Sequence, residues 1–201
     1  MAMQVAPTKS NLLKAKASLE LSKSGYELLD KKRNVLIREM MVLVEKAKSM
    51  QIGIGDIMAE AYLALQNANI TMGIQKVNEI TYSIPQDEEF EILLKSVMGA
   101  VIPSIKYTKS PSTPHYSFYE TNTAFDKAAI KFKEAQYRIY ELAELENSIY
   151  KLAKDIEKTQ KRTNALSNIQ IPRYKEQVKQ ITESLEEKER EDFFRLKKIK
   201  K

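Results

Sequence analysis

Few residues in this sequence have the types and spacing that chemistry demands. His115 is the only histidine, and it lies in a stretch rich in Pro, Ser and Thr. A lone imidazole there has no companion ligand for a metal and no partner for a proton relay. Gly53-Ile54-Gly55 imitates the start of a dinucleotide-binding fingerprint, but Met58 stands where a third glycine is needed and no strand precedes it. A phosphate loop with Gly-Lys-Ser/Thr is absent. Glu186 and Glu187 sit in a mixed-charge run, the pattern of a solvated helix face rather than of an acid–base pair. With no cysteine in the chain, thiolate ligands, thiol nucleophiles and disulfides are all excluded. The expectation is a chain without catalytic residues, metal site or cofactor.

What the sequence does specify is long helices. From Asn11 to about Ala68 a stripe recurs at spacings of three and four: Leu12, Ala15, Leu19, Ser22, Tyr26, Leu29, Arg33, Leu36, Met40, Leu43, Ala47, Met50, Ile54, Ile57, Ala61, Ala64 and Ala68. Only Ser22 and Arg33 interrupt its apolar character. Roughly eight heptads are sustained, more than a coiled coil requires. A continuous helix of that extent is on the order of 85–90 Å long and needs a partner of similar length. Thr8 or Ser10 can cap its start. Gly53 and Gly55 make the expected site of a bend, since an interior glycine costs about 1 kcal/mol against alanine.

Between Ile70 and Thr121 the texture changes. Pro85, Pro103, Pro111 and Pro114 fall here and the helical period is lost. Phe90, Ile92 and Leu94 alternate, as do Val101, Pro103, Ile105 and Tyr107, and Met98-Gly99 lies between them. This predicts a β-hairpin over about residues 90–107. Pro103 is expected to remove one ladder donor and confine its strand to an edge. A two-stranded hairpin is marginal alone, so it must lean on helices or on a partner. Lys106 to His115 is expected to be a loop, while Ile70 to Tyr82 fits helix or strand.

A second long helix is expected from Asn122. Its stripe runs Phe125, Ala128, Phe132, Ala135, Ile139, Leu142, Leu145, Ile149, Leu152, Ile156, Thr159, Thr163 and Leu166. After Pro172 it resumes at Tyr174, Val178, Ile181 and Leu185, which predicts a kink near Pro172 rather than an end. The fold class that follows is all-α dominated: a long antiparallel two-helix coiled coil with a short β-hairpin head in the middle of the chain. As one elongated domain it would comprise a coiled-coil helix over 9–68, a head over 69–121 and a second coiled-coil helix over 122–199. Heptad geometry pairs positions whose numbers add to about 195, which sets Gly25 level with Pro172, where its missing side chain is expected to leave room for the kink.

Charge and surface patterning add two features. The 33 basic and 27 acidic residues are interspersed, which argues against a nucleic-acid grip. No 18-residue apolar run or signal-peptide pattern occurs, so a cytoplasmic protein without a membrane-inserted segment is expected. Leu36, Ile37, Met40, Met41, Val42, Leu43 and Val44 make the first helix apolar on nearly every side, more than one partner helix can cover. This band, with Tyr150, is the candidate docking surface for a third element, and Tyr137 and Tyr140 could extend it. At the far end Phe193 and Phe194 precede Arg195, Lys197 and Lys198, with Lys9 nearby; this set could form a knob for an apolar or acid-lined socket.

Three segments carry a resemblance to the D subunits of the V-type and A-type rotary ATPases (ATP synthases), which form the central rotor shaft. They are Lys23-Ser24-Gly25-Tyr26-Glu27-Leu28-Leu29-Asp30-Lys31-Lys32-Arg33-Asn34-Val35-Leu36-Ile37, the turn Ser96-Val97-Met98-Gly99 with Ile102-Pro103, and the C-terminal motifs. The last comprise Lys161-Arg162-Thr163-Asn164-Ala165-Leu166, Ile171-Pro172 and Glu189-Arg190-Glu191-Asp192-Phe193-Phe194-Arg195-Leu196-Lys197. At Lys161 and Thr163 the sequence departs from a more arginine-rich run in the family. The resemblance implies a non-catalytic shaft at the membrane periphery, coupling ATP hydrolysis or synthesis to H+ or Na+ translocation. It implies that Lys9, Phe193, Phe194, Arg195, Lys197 and Lys198 enter the bore of a ring of catalytic and non-catalytic subunits (A and B). The band Leu36, Ile37, Met40, Met41, Val44 and Tyr150 would dock the small companion of the rotor, the family's F subunit. The hairpin residues Phe90, Ile92, Leu94, Gly99, Val101 and Pro103 would lie toward the funnel-shaped subunit that joins the membrane ring. A prefoldin-like chaperone and a nucleic-acid-gripping coiled coil are the competing classes. A chaperone of that kind has shorter coils and apolar tips, and a nucleic-acid grip would lose affinity steeply with salt.

Overall fold

The computed structural model describes residues 6–84, 90–107 and 114–200. Pro85, Pro111 and most of the expected loop between Lys106 and His115 lie outside the described residues. The elements in order are α1 (Lys9–Met72), α2 (Ile74–Thr81), β1 (Phe90–Val97), β2 (Ala100–Tyr107), α3 (Thr123–Ala165), a π-helical turn (Leu166–Gln170) and α4 (Ile171–Ile199). Long helices with a hairpin between them are the expected fold class. The chain divides into two compact units, one of Met1–Val35 with Ile156–Lys201 and the other of Leu36–Asp155.

In the first unit α1 begins where Thr8 Oγ1 accepts the Asn11 N–H at 3.2 Å, a side-chain cap for an otherwise orphan donor. The helical segments run antiparallel, with Lys9 bridged to Glu189 at 3.0 Å and Arg33 donating to Gln160 at 2.7 Å. The two polar breaks in the α1 stripe are both satisfied: Ser22 Oγ bonds Ser18 O at 2.7 Å, and Arg33 also pairs with Asp30 at 2.6 Å. Facing Gly25 is Leu166 rather than Pro172, and a Cβ added to Gly25 would stand 3.8 Å from Leu166 Cδ1, an ordinary contact. The glycine therefore makes no special room.

The disturbance expected at Pro172 takes the form of a π-helical turn just before it. Proline has no N–H to donate and its ring crowds the carbonyl four residues back. Widening the preceding turn to i→i+5 spacing, with Ile171 N–H bonded to Leu166 O, admits the ring without ending the helix. Beyond it Ile181 is buried, on the expected stripe.

In the second unit α1 continues as helix through Gly53 and Gly55, where an added Cβ would meet nothing within 4 Å. The interruption comes later, at Gly73, whose φ of 86° lies in the left-handed region that glycine enters without steric cost. The segment 70–82, open between helix and strand, is thus helical on both sides of that break. α2 folds Val77 against Ala68 of α1 and Phe125 of α3, with Tyr116 and Leu65 around them. Asn122 caps α3 by accepting the Phe125 N–H at 3.1 Å and donates to Thr71 Oγ1 at 2.8 Å, tying the helix ends together. Farther along, Glu60 bridges Lys131 at 2.8 Å and Tyr62 meets Phe132 edge-on.

Every described position of the expected α1 stripe, from Leu12 to Ala68, is buried or half-buried. On α3 one position departs: Ile139 is 45% exposed. Alanines at Ala61, Ala68, Ala128 and Ala135 are all buried, which lets paired helices approach closely.

The hairpin has the expected bounds and turn. β1 and β2 pair antiparallel from Phe90↔Tyr107 to Val97↔Ala100. Met98 and Gly99 both have positive φ, 51° and 80°, as a two-residue turn of the primed type requires.

Candidate docking surfaces

The hairpin is positioned by a face of α3 that periodicity did not disclose. Glu144 accepts the Ile105 N–H at 2.8 Å, Ser148 Oγ donates to Pro103 O at 3.3 Å, and Tyr107 OH donates to Glu141 at 3.0 Å. Tyr107 stacks on Tyr137 and Phe90 tilts onto Tyr140, with ring centroids 5.2 and 5.7 Å apart. Burial, then the bond to Glu141, raises the Tyr107 phenol above its ordinary value, so it remains a donor. Residues 137, 141, 144 and 148 recur at helical spacing, a polar and aromatic stripe beside the apolar one. That spacing was the available signal. Tyr137 and Tyr140 therefore belong to the hairpin's seat and do not extend the docking band.

The same contacts correct the expectation for Pro103. In a strand the N–H and C=O of one residue point to one side. Ile105 N–H and Pro103 C=O both point to α3. The donor that Pro103 lacks would thus have faced outward, and the β1–β2 ladder loses nothing. α3 covers the β2 edge with side-chain partners, whereas β1 is exposed at every residue from Phe90 to Ser96. Ile92 is 62% and Leu94 73% exposed, and Val101 and Met98 are also open to solvent.

The apolar band on α1 divides. Leu36 is fully buried, as is Leu152, so it is a core residue and leaves the docking set. Its position on the stripe already places it in the seam. Ile37, Met40 and Val44 are half-buried. Met41, Val42 and Tyr150 are each about three-fifths exposed, so the excess apolar surface read from the sequence persists at these positions.

The end of α4 is the most open stretch among the described residues. From Glu186 to Lys200 every residue is exposed, including Phe193, Phe194, Leu196 and Ile199. Three of its ion pairs lie within the helix: Glu186–Arg190 at 3.7 Å, and Arg195 with Glu191 at 3.6 Å and Asp192 at 4.0 Å. At such exposure each contributes little. Lys9 is engaged with Glu189. Phe193 and Phe194 meet edge-on at 6.4 Å and, with Glu186, Glu189 and Arg190, line an open groove along the helix. An amphipathic helix with its aromatic residues in water is a surface that lacks its cover. Among the described residues, no cluster of three or more His, Asp or Glu could hold a metal, and no helix is long and apolar enough to cross a membrane.

Comparison with known proteins adds the last finding. Residues 11–201 match the family of ATP synthase D subunits. The chain is 42% identical over 198 residues to the D subunit of the V-type ATP synthase of Thermotoga neapolitana, covering 98% of each. It is 39% identical over 201 residues to the D subunit of the A-type ATP synthase of Pyrococcus furiosus, covering 98% of this chain and 94% of that one. For the corresponding A-type protein of Thermococcus sibiricus the identity is 37% with the same coverage.

Proposed function

This chain belongs to the family of ATP synthase D subunits, and on that premise we propose that it is the central-stalk rotor of a V/A-type rotary ATPase, working as one shaft. The observation that carries the proposal is the contrast within the helices. Their shared stripe is buried or half-buried at every position but Ile139, while the end of α4 holds Phe193, Phe194, Leu196 and Ile199 in solvent. A shaft needs a stiff, self-sufficient seam and a shaped surface that others grip. It needs no chemistry of its own, and here it carries none of the catalysis.

In this reading Phe193, Phe194, Lys197 and Lys198, with Arg195 and Lys9 behind them, enter the bore of a ring of A and B subunits. Turning an asymmetric shaft changes its contacts at each catalytic interface, and those differential contacts bias which interface is open. Ile37, Met40, Met41, Val44 and Tyr150 dock the small companion of the rotor, the F subunit. The hairpin, through Phe90, Ile92, Leu94, Gly99, Val101 and Pro103, lies toward the funnel-shaped subunit, and rotation passes to a membrane ring that moves H+ or Na+. The protein then resides at the cytoplasmic side of the membrane, peripheral to it.

The test is affinity capture of the full chain from solubilised membranes, with bound partners identified by mass, followed by ATPase and ion-pumping rates of the recovered complex. Ring subunits and a small companion are expected. A Phe193→Ala/Phe194→Ala double variant should fold normally, since exposed substitutions shift stability by about 0.5 kcal/mol or less, yet uncouple hydrolysis from pumping. Capture of nucleic acid or unfolded clients without the ring would sink the proposal.

A further inference from the structure

We infer that the open edge of β1 pairs with the β1 edge of a second copy of this chain, joining two hairpins into one four-stranded antiparallel sheet. The two edges of the hairpin are unequal. On β2 the outward groups at Ile105 and Pro103 are taken by Glu144 and Ser148, and Pro103 itself presents no N–H. On β1 the residues paired with outward-facing β2 positions are Phe90, Ile92, Leu94 and Ser96, so their own N–H and C=O groups point away from the ladder. No proline, bulge or covering element blunts that edge among the described residues, and β1 is exposed from Phe90 to Ser96. An edge of this kind is a template for strand addition.

The occupant follows from charge and parity. β1 reads Phe90-Glu91-Ile92-Leu93-Leu94-Lys95-Ser96-Val97. Laid antiparallel on a copy of itself with Leu93 opposite Leu93, Ile92 faces Leu94 and Phe90 faces Ser96. Those are the residues whose backbone groups point outward, so the hydrogen bonds fall where donors and acceptors are available. The same register sets Glu91 opposite Lys95 twice, once on each side of the two-fold axis. These pairs fall at non-hydrogen-bonded positions, where side chains come closest. Within the hairpin Glu91 already lies beside Lys106, so pairing places each Glu91 between two lysines. Leu93 meets Leu93, Ile92 meets Leu94 and each charge meets its opposite, which an arbitrary partner strand would not provide. A single shared strand pair is a small contact, so the association is weak and depends on concentration. It requires nothing of the shaft role and belongs to chains outside an assembled complex.

Sedimentation of the full chain over a wide concentration range tests it, with helix content checked by circular dichroism. Wild type is expected to pass from monomer to dimer as concentration rises. Glu91→Lys alone sets lysine against lysine, and Lys95→Glu alone sets glutamate against glutamate. Each should weaken dimerisation by roughly tenfold or more. An equimolar mixture of the two variants restores opposite charges at both pairs and should dimerise as wild type does. A wild type that stays monomeric overturns the inference. So do single variants that dimerise undiminished, or a mixture that fails to recover.

Discussion

Two stretches of similar length and similar amphipathic character have opposite fates. α3 between Ala135 and Ser148 is covered on two faces: Ala135 and Leu145 are buried in the apolar core, and Tyr137, Tyr140, Glu141, Glu144 and Ser148 seat the hairpin. α4 from Glu186 to Ile199 is covered on none. Tyr140 and Phe194 look alike as letters in a helical pattern. The difference lies in whether the chain itself supplies an element to lie on them. Where it does, aromatic residues contribute to folding. Where it does not, they stay in solvent, and their removal is expected to change folding little.

The largest effect that would break this contrast is at the core. Leu152→Ala removes a fully buried side chain and should cost about 2–5 kcal/mol of unfolding free energy by denaturant titration. A value close to that of the exposed Phe193→Ala/Phe194→Ala variant would erase the distinction. Next comes the hairpin seat. Glu144→Ala leaves the Ile105 N–H without its acceptor and should cost about 1–3 kcal/mol. Hydrogen exchange should speed at Ile105 while helix amides near Phe193 keep their rate.

The smallest effect concerns Tyr116, whose hydroxyl donates to Asp126 at 2.8 Å. Burial, and then the bond to Asp126, pushes its phenol up to about 12 from 10.0. The folded state favours the neutral form, so this contribution is intact below pH 10 and is lost as pH rises from 10 through about 12. A Tyr116→Phe variant should show a shallower alkaline fall in stability than wild type across that window. Equal slopes would remove Tyr116 from the account.

Much of this was legible in the residues. A heptad stripe is a one-dimensional signal, and burial followed it along α1 from Leu12 to Ala68. The hairpin was equally plain, since alternation around Met98-Gly99 fixes both turn and register. What escaped the sequence depends on a third neighbour. Ile139 holds a stripe position yet is exposed, because helical spacing says which side chains share a face but not where a partner's cover stops. Glu141, Glu144 and Ser148 resemble ordinary solvent-facing polar residues until β2 brings its edge to them. Leu36 belongs both to an all-round apolar surface and to the stripe, and burial follows the stripe. Gly73 lies within a run that fits helix or strand, and only its left-handed backbone marks the break. Of the candidate site, the apolar excess at Met41 and Tyr150 and at Phe193 and Phe194 persists as exposed surface.

The π-helical turn at Leu166–Gln170 has a consequence for counting. Each residue of an α-helix turns the side-chain direction by about 100°, and a π turn spends one residue more than an α turn over the same path. A heptad counted forward from Thr163 therefore arrives out of step beyond Pro172, and the stripe must be recounted from Tyr174 to reach Ile181 and Leu185. The helix changes phase without ending, so α4 carries its own numbering of inside and outside. The aromatic pair at its end faces the direction set by this added residue.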